Sequence, residues 1–152
     1  MADDTGADDT GAGGAEPDFL GTGWSFPPIF NRHSATVVMS SDVRNIKECL
    51  WVLLSTSLGE RIMLATYGTN LRYRVFDSLT ETLINEIKSD LTKAIIDWEP
   101  RIDVRSISVQ EEAPLEGRVA ILIDFVVRST NVRSNLVYPF YLTEATLPPP
   151  DL

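Results

Sequence analysis

The chain has 152 residues, with 13 Lys and Arg against 22 Asp and Glu, for a formal charge of −9. That length suits one domain able to bury its own core, and the acidity argues against a protein whose main work is neutralising nucleic acid or anionic lipid. One cysteine, Cys49, and one histidine, His33, exclude an intrachain disulfide, a cysteine-rich zinc site and the two-histidine metal motifs.

Residues 1–18 differ from the rest. Asp3-Asp4-Thr5-Gly6-Ala7 is repeated at once as Asp8-Asp9-Thr10-Gly11-Ala12, and six acids stand here with no base. Such a stretch cannot bury enough apolar surface to offset its ordering entropy, so it reads as a disordered acidic tail. Its carboxylates lack the framework of a calcium loop. No basic region or apolar core follows Met1, so no secretory signal is read and synthesis in the cytoplasm is expected. The longest apolar run, Val119 to Val127, is too short to span a bilayer, and no membrane insertion is expected.

From Phe19 to Phe30 the sequence is rich in glycine, proline and aromatics, and Pro27-Pro28 rules out a long helix. It predicts an extended arm whose Trp24 and Phe26 pack on the chain's own core or on a partner. His33, beside Arg32, falls in a surface loop. A first helix is predicted from Asp42 to Leu58, with Val43, Ile46, Leu50, Leu53, Leu54 and Leu58 at helical spacing. Ser40 or Ser41 caps its start and Gly59 follows its end. Cys49 falls on its apolar side and reads as an inert core thiol. A short strand or hairpin is expected around Arg61–Leu64.

A second helix is predicted from Leu79 to Trp98, with Ser78 and Glu81 in a capping-box pattern and Pro100 forcing its stop. Its apolar stripe is Leu83, Ile84, Ile87, Leu91, Ala94, Ile95 and Trp98. The remainder reads as sheet. One strand covers Ile102–Val109, and a loop is expected over Glu111–Gly117. In Arg118–Arg128 the residues Val119, Ile121, Ile123, Phe125 and Val127 share one face. After a polar loop over Ser129–Asn135, a last strand runs Leu136–Leu142. Pro139 places that strand at an edge, and Pro148–Pro150 give the end a polyproline character. The predicted class is α+β, with two helices packed on a small, mostly antiparallel sheet and extended arms at both ends. One domain is expected over 19–147, with a proline-rich end over 148–152.

No nucleophile elbow, phosphate loop or dinucleotide fingerprint is present, and no cofactor is implied. Glu60 and Glu99 could in principle act as a glycosidase pair, each at a helix end beside an arginine. An adjacent arginine favours the ionised carboxylate, the opposite of what a general acid needs. Glu99-Pro100-Arg101 is the most informative short feature. A carboxylate at a helix C-terminus is opposed by the helix dipole, so Arg101 either pairs with it locally or is displayed to a partner by the fixed turn at Pro100. The last strand, with Val137, Phe140 and Tyr141, is either an edge open to strand addition or one shielded by Pro139 and the proline tail.

An ordered set of motifs carries a family resemblance. Phe19-Leu20-Gly21 precedes Gly23-Trp24-Ser25-Phe26-Pro27-Pro28. Leu53-Leu54-Ser55-Thr56 leads to Gly59-Glu60-Arg61, then Tyr67-Gly68 with Leu71-Arg72. Trp98-Glu99-Pro100-Arg101-Ile102 follows, and Asn135-Leu136-Val137-Tyr138-Pro139-Phe140 closes the set. Spread over residues 19–142, it resembles the baseplate wedge and sheath-initiator family of contractile phage tails and injection systems, which includes the TssE subunit of type VI secretion. The resemblance implies a structural, non-enzymatic protein, although some members carry a lysozyme label. It implies binding to wedge and core-bundle proteins through Glu99, Pro100 and Arg101, and six copies around the tube. It also implies templating of the sheath by strand sharing, placed by edge geometry on Leu136, Val137, Tyr138, Phe140, Tyr141 and Leu142. Nucleic acid is not an expected partner. The enzymatic alternative is a lysozyme-like muramidase.

Overall fold

A computed structural model describes residues 19–74, 79–113 and 117–141. The elements in chain order are β1 (Gly23–Trp24), β2 (Phe30–Asn31), β3 (Thr36–Val37), β4 (Met39–Ser40), α1 (Asp42–Ser55), a 3-10 turn (Leu71–Arg74), α2 (Glu81–Trp98), β5 (Ile102–Ala113), β6 (Arg118–Val127) and β7 (Arg133–Tyr141). The class is α+β, as the periodicities indicate. β5, β6 and β7 form an antiparallel sheet with β6 in the centre. Both helices lie on one face of it, α2 against β5 and α1 against β7, and they also touch each other.

The core follows the two periods of the sequence. Val119, Ile121, Ile123, Phe125 and Val127 of β6 are all buried on the helix-facing side. Leu136, Tyr138 and Phe140 of β7 join them. Helix α1 contributes Ile46, Leu50, Leu53 and Leu54, and also Trp51, which packs edge-on to Tyr138 at 4.8 Å. Helix α2 contributes Leu83, Ile87, Leu91 and Ile95. Burial pushes the Tyr138 hydroxyl well above the ordinary tyrosine range. In β5 the apolar sequence is Ile102, Val104, Ile107, Val109, a break in strict alternation. A bulge between Val104 and Ser106 absorbs the extra residue and restores the face.

The structure departs from the sequence reading at several boundaries. Helix α1 stops at Ser55, not Leu58, because Ser55 Oγ and Thr56 Oγ1 donate back to the Trp51 and Val52 carbonyls and Thr56 turns to an extended conformation. Thr80, not Ser78, caps α2, its Oγ1 accepting from the Leu83 amide at 3.2 Å; Ser78 lies outside the described residues. No strand forms at Arg61–Leu64. That stretch is a run of tight turns closed by the Gly59 amide on the Ala65 carbonyl at 2.8 Å, and the pairing expected there occurs instead as a single parallel bridge, Ser57 to Thr69. β5 runs on to Ala113, because the ladder to β6 continues past the predicted end through a second irregularity at Glu111/Ala113. β7 starts at Arg133, since Asn131 at φ 53° permits a short hairpin turn. The predicted arm is itself paired, β1 with β4 and β2 with β3. The acidic tail and the proline-rich end lie outside the described residues, as does Leu142.

Gly68 shows how tightly the turn region is fitted. Its φ is +119°, and an added Cβ would lie 2.5 Å from the Thr56 carbonyl oxygen and 3.0 Å from Ser57 backbone atoms. Both strain and overlap fall on backbone that anchors the end of α1, through the Thr69 amide on the Thr56 carbonyl. Gly68→Ala is expected to destabilise the fold by about 2–4 kcal/mol in urea denaturation, well above the roughly 1 kcal/mol typical of point substitutions.

Candidate functional site

Helix α2 ends where Pro100 denies it a further turn. Glu99 is its C-cap, the Glu99 amide donating to the Ile95 carbonyl at 2.8 Å. The chain turns at once into β5, and Arg101 doubles back onto Glu99. The guanidinium grips the carboxylate with two parallel bonds, Nε to Oε1 at 2.6 Å and Nη2 to Oε2 at 2.5 Å. Its third nitrogen, Nη1, donates to the Leu20 carbonyl at 2.9 Å and to Asn45 Oδ1 at 3.0 Å. The Glu99 side chain is 5% exposed and that of Arg101 27%, while Pro100 is exposed. The hydrogen bond from Arg101 to the Glu99 carboxylate holds the guanidinium further into its charged form, against the opposing effect of burial. Of the two readings open for this motif, the local ion pair is therefore present. It reaches further than the sequence indicates, tying together the end of α2, the start of β5, the first turns of α1 and the arm.

The network continues into α1. Asn45 Nδ2 donates to Ser40 Oγ at 3.1 Å, and Ser40 Oγ donates to Glu48 Oε2. Arg44 Nε closes the series on Glu48 Oε1 at 3.1 Å. Ser40, Asn45 and Glu48 are all buried. Sequence reasoning took Ser40 as a candidate cap of α1, whereas its hydroxyl serves this network, and it missed Asn45 and Glu48, yet a signal existed: both flank the apolar stripe of α1 at positions that the helix turns inward. Gly23 makes room for the hub, since a Cβ there would lie 2.6 Å from Asn45 Nδ2.

Beside this network is an open cavity of about 440 Å³. It is lined by Trp24, Phe26 and Pro28 of the arm, Cys49 and Val52 of α1, and Arg61 and Tyr67. The Arg61 guanidinium lies 3.9 Å from the centre of the Tyr67 ring, which packs edge-on to Trp98 at 5.2 Å. Burial raises the Tyr67 hydroxyl above its usual range, with Arg61 pulling the other way. Both arm aromatics thus meet here. Phe26 packs against the core, while Trp24 is 63% exposed and edge-on to Phe30. Cys49 is not a core thiol as expected. It is partly exposed at the cavity wall, 3.9 Å from Asn45 Oδ1. His33 is exposed in the turn between β2 and β3.

The last strand is a sheet edge, paired with β6 on one side. Its side chains divide by alternation: Leu136, Tyr138 and Phe140 are buried and Val137 is 47% exposed. Contacts along this edge would therefore run through backbone and the outward residues. The two carboxylates considered for glycoside chemistry are separately occupied, Glu60 in an exposed turn accepting from the Ser57 amide at 2.8 Å and Glu99 inside the arginine fork. Among the described residues no group of His, Cys, Asp and Glu is arranged to hold a metal ion, and no helix is long and apolar enough to cross a membrane.

Comparison with known proteins gives a consistent set. The family model described as baseplate wedge protein gp25 matches residues 40–132. Baseplate protein W of Escherichia phage P2 is 25% identical over 99 residues, covering 65% of this chain and 84% of that protein. A crystal structure from Geobacter sulfurreducens, of a protein described as a tail lysozyme, is 40% identical. It matches 73% of this chain and 100% of its own with a TM-score of 0.65. A chain in the six-fold symmetrised baseplate of the anti-feeding prophage is 25% identical, with 82% and 87% covered and a TM-score of 0.59.

Removing the arginine tests the network directly. Arg101→Ala would leave the Glu99 carboxylate buried without its fork and would remove the hydrogen bond from Nη1 to the Leu20 carbonyl. Loss of about 3–5 kcal/mol in chemical denaturation is expected, the cost of breaking a buried pair on one side. A change below 1 kcal/mol would show that the pair is not structurally important.

Proposed function

The chain belongs to the baseplate wedge protein gp25 family, and from that membership we propose that it is a structural subunit which docks on the baseplate core and templates the first sheath ring. The observation that supports a structural role is the Glu99-Pro100-Arg101 corner, a rigid junction between helix, sheet and arm with Pro100 and part of Arg101 at the surface. Docking on wedge and core-bundle proteins depends on Glu99, Pro100 and Arg101 of this corner. Six copies per baseplate fit the six-fold symmetry of the anti-feeding prophage particle, whose matching chain shares the fold. The subunit is assembled in the cytoplasm as part of a phage tail-like contractile particle and needs no cofactor.

Sheath templating is assigned to β7. The strand has a free edge among the described residues, and an edge strand recruits another chain by completing its ladder. Pro139 has no amide hydrogen, and prolines are tolerated where that hydrogen would point away from the sheet. With period two, the outward amides then belong to Val137 and Tyr141. Val137→Pro is expected to leave the monomer folded and the baseplate formed, and to reduce sheath-bearing particles by about tenfold or more in electron micrographs. Sheaths of normal number and length would refute strand sharing at this edge.

The muramidase alternative draws on the description of the Geobacter sulfurreducens relative as a tail lysozyme. Against it, Glu99 is 5% exposed with both oxygens engaged by Arg101, so it offers no accessible acid. The purified chain is expected to release no soluble fragments from peptidoglycan. Turnover that disappears in Glu60→Gln or Glu99→Gln would establish the enzyme instead.

A further inference from the structure

The charges of the Glu99–Arg101 pair are directed into the molecule. Both carboxylate oxygens accept from Arg101, and the remaining guanidinium nitrogen is taken by Leu20 and Asn45. Little of either charge is left for a partner to read. What the pair does is hold Leu20, and with it the following segment, against the start of α1. That segment is one wall of the 440 Å³ cavity, a volume within the roughly 300–1,000 Å³ of sites that take large side chains or ligands. Other lining residues are also held in place. Arg61 stacks on Tyr67, Tyr67 packs on Trp98, and Trp98 Nε1 donates to the Thr66 carbonyl at 3.2 Å.

The chemistry of this groove specifies its occupant. The surface is apolar along Trp24, Phe26, Pro28 and Val52. Its rim carries one cation, Arg61, which takes part in none of the ion pairs among the described residues. The acid in the wall, Glu48, is buried and already engaged by Arg44 and Ser40. The two residues after Arg61, Ile62 and Met63, are 96% and 92% exposed apolar side chains. We infer that Glu99 and Arg101 are positioning residues, and that this groove itself receives the partner: an amphipathic segment of a baseplate core protein, with an apolar side chain between Trp24, Phe26 and Val52 and a carboxylate against Arg61. The inference rests on the proposed docking to the baseplate core and names the surface and the chemistry that perform it.

The test expresses the full chain with the other components of its particle and measures its incorporation into sedimented baseplates, alongside melting and amide exchange of the purified chain. Trp24→Ser and Arg61→Glu are expected to lower incorporation about tenfold or more, as central interface anchors do, with little change in melting temperature. Arg61→Lys should retain most incorporation. Arg101→Lys keeps the charge but loses the fork, so exchange at residues 20–26 should accelerate as incorporation falls. Normal incorporation of both Trp24→Ser and Arg61→Glu would overturn the groove, while the docking reading would survive. Lost incorporation of Arg101→Lys with unchanged exchange at 20–26 would mean that the partner reads Arg101 directly, overturning its positioning role. A wild-type chain absent from baseplates would instead overturn the docking reading itself.

Discussion

A carboxylate taken out of water must have donors on both oxygens, and nearly everything around the cavity is arranged by that requirement at Glu99. Its position is doubly unfavourable, at the negative end of the α2 dipole and almost fully buried. Only a planar guanidinium can offer two parallel bonds to it and still have a nitrogen free to reach elsewhere. Arg101 does so, and that last nitrogen binds a backbone carbonyl 81 residues away in the chain. The pair therefore acts less as a stabilising bridge than as a specifier of geometry. It determines where the arm crosses α1, and the arm determines the shape of the groove.

The sheet was the most legible part of the fold. A strict two-residue period in β6 predicts its buried face residue by residue, because a central strand with one face on helices has only one acceptable register. The helical stripes were nearly as clear. Boundaries were less so, since hydroxyl groups at Ser55, Thr56 and Thr80 decide where helices stop and start, and their competition with backbone partners depends on the tertiary setting. The turns at Arg61–Leu64 read as a short strand or hairpin because short apolar runs fit either pattern until long-range bonds nearby, such as Thr69 Oγ1 to the Leu54 carbonyl, are known.

The site was legible in part. Glu99, Pro100 and Arg101 stand out as a charge pair around a helix-stopping proline, visible from sequence alone. Their partners do not. Leu20 contributes a carbonyl, which no side-chain pattern reports, and Asn45 and Glu48 look like ordinary polar residues beside an apolar stripe. A glycine offers the better clue. Gly23 is not in a left-handed conformation, so its role is proximity: it allows β1 to come close to the Asn45 amide. Its place in the Gly21–Gly23 doublet before an aromatic is thus a mark of the buried network, although nothing local reveals the contact.

Pro139 has a consequence for any strand laid along β7. Most sheet edges accept a newcomer in several registers, because each outward amide is equivalent to the next. Here one outward position has no hydrogen to give, with Val137 and Tyr141 two residues to either side. Any newcomer that spans Val137 to Tyr141 places one of its own carbonyls opposite the proline and receives no donor from it, at a cost of about 1–3 kcal/mol if water is excluded. The proline thus works as a key cut into the edge. It allows pairing while favouring a strand that ends, bulges or admits water opposite Pro139.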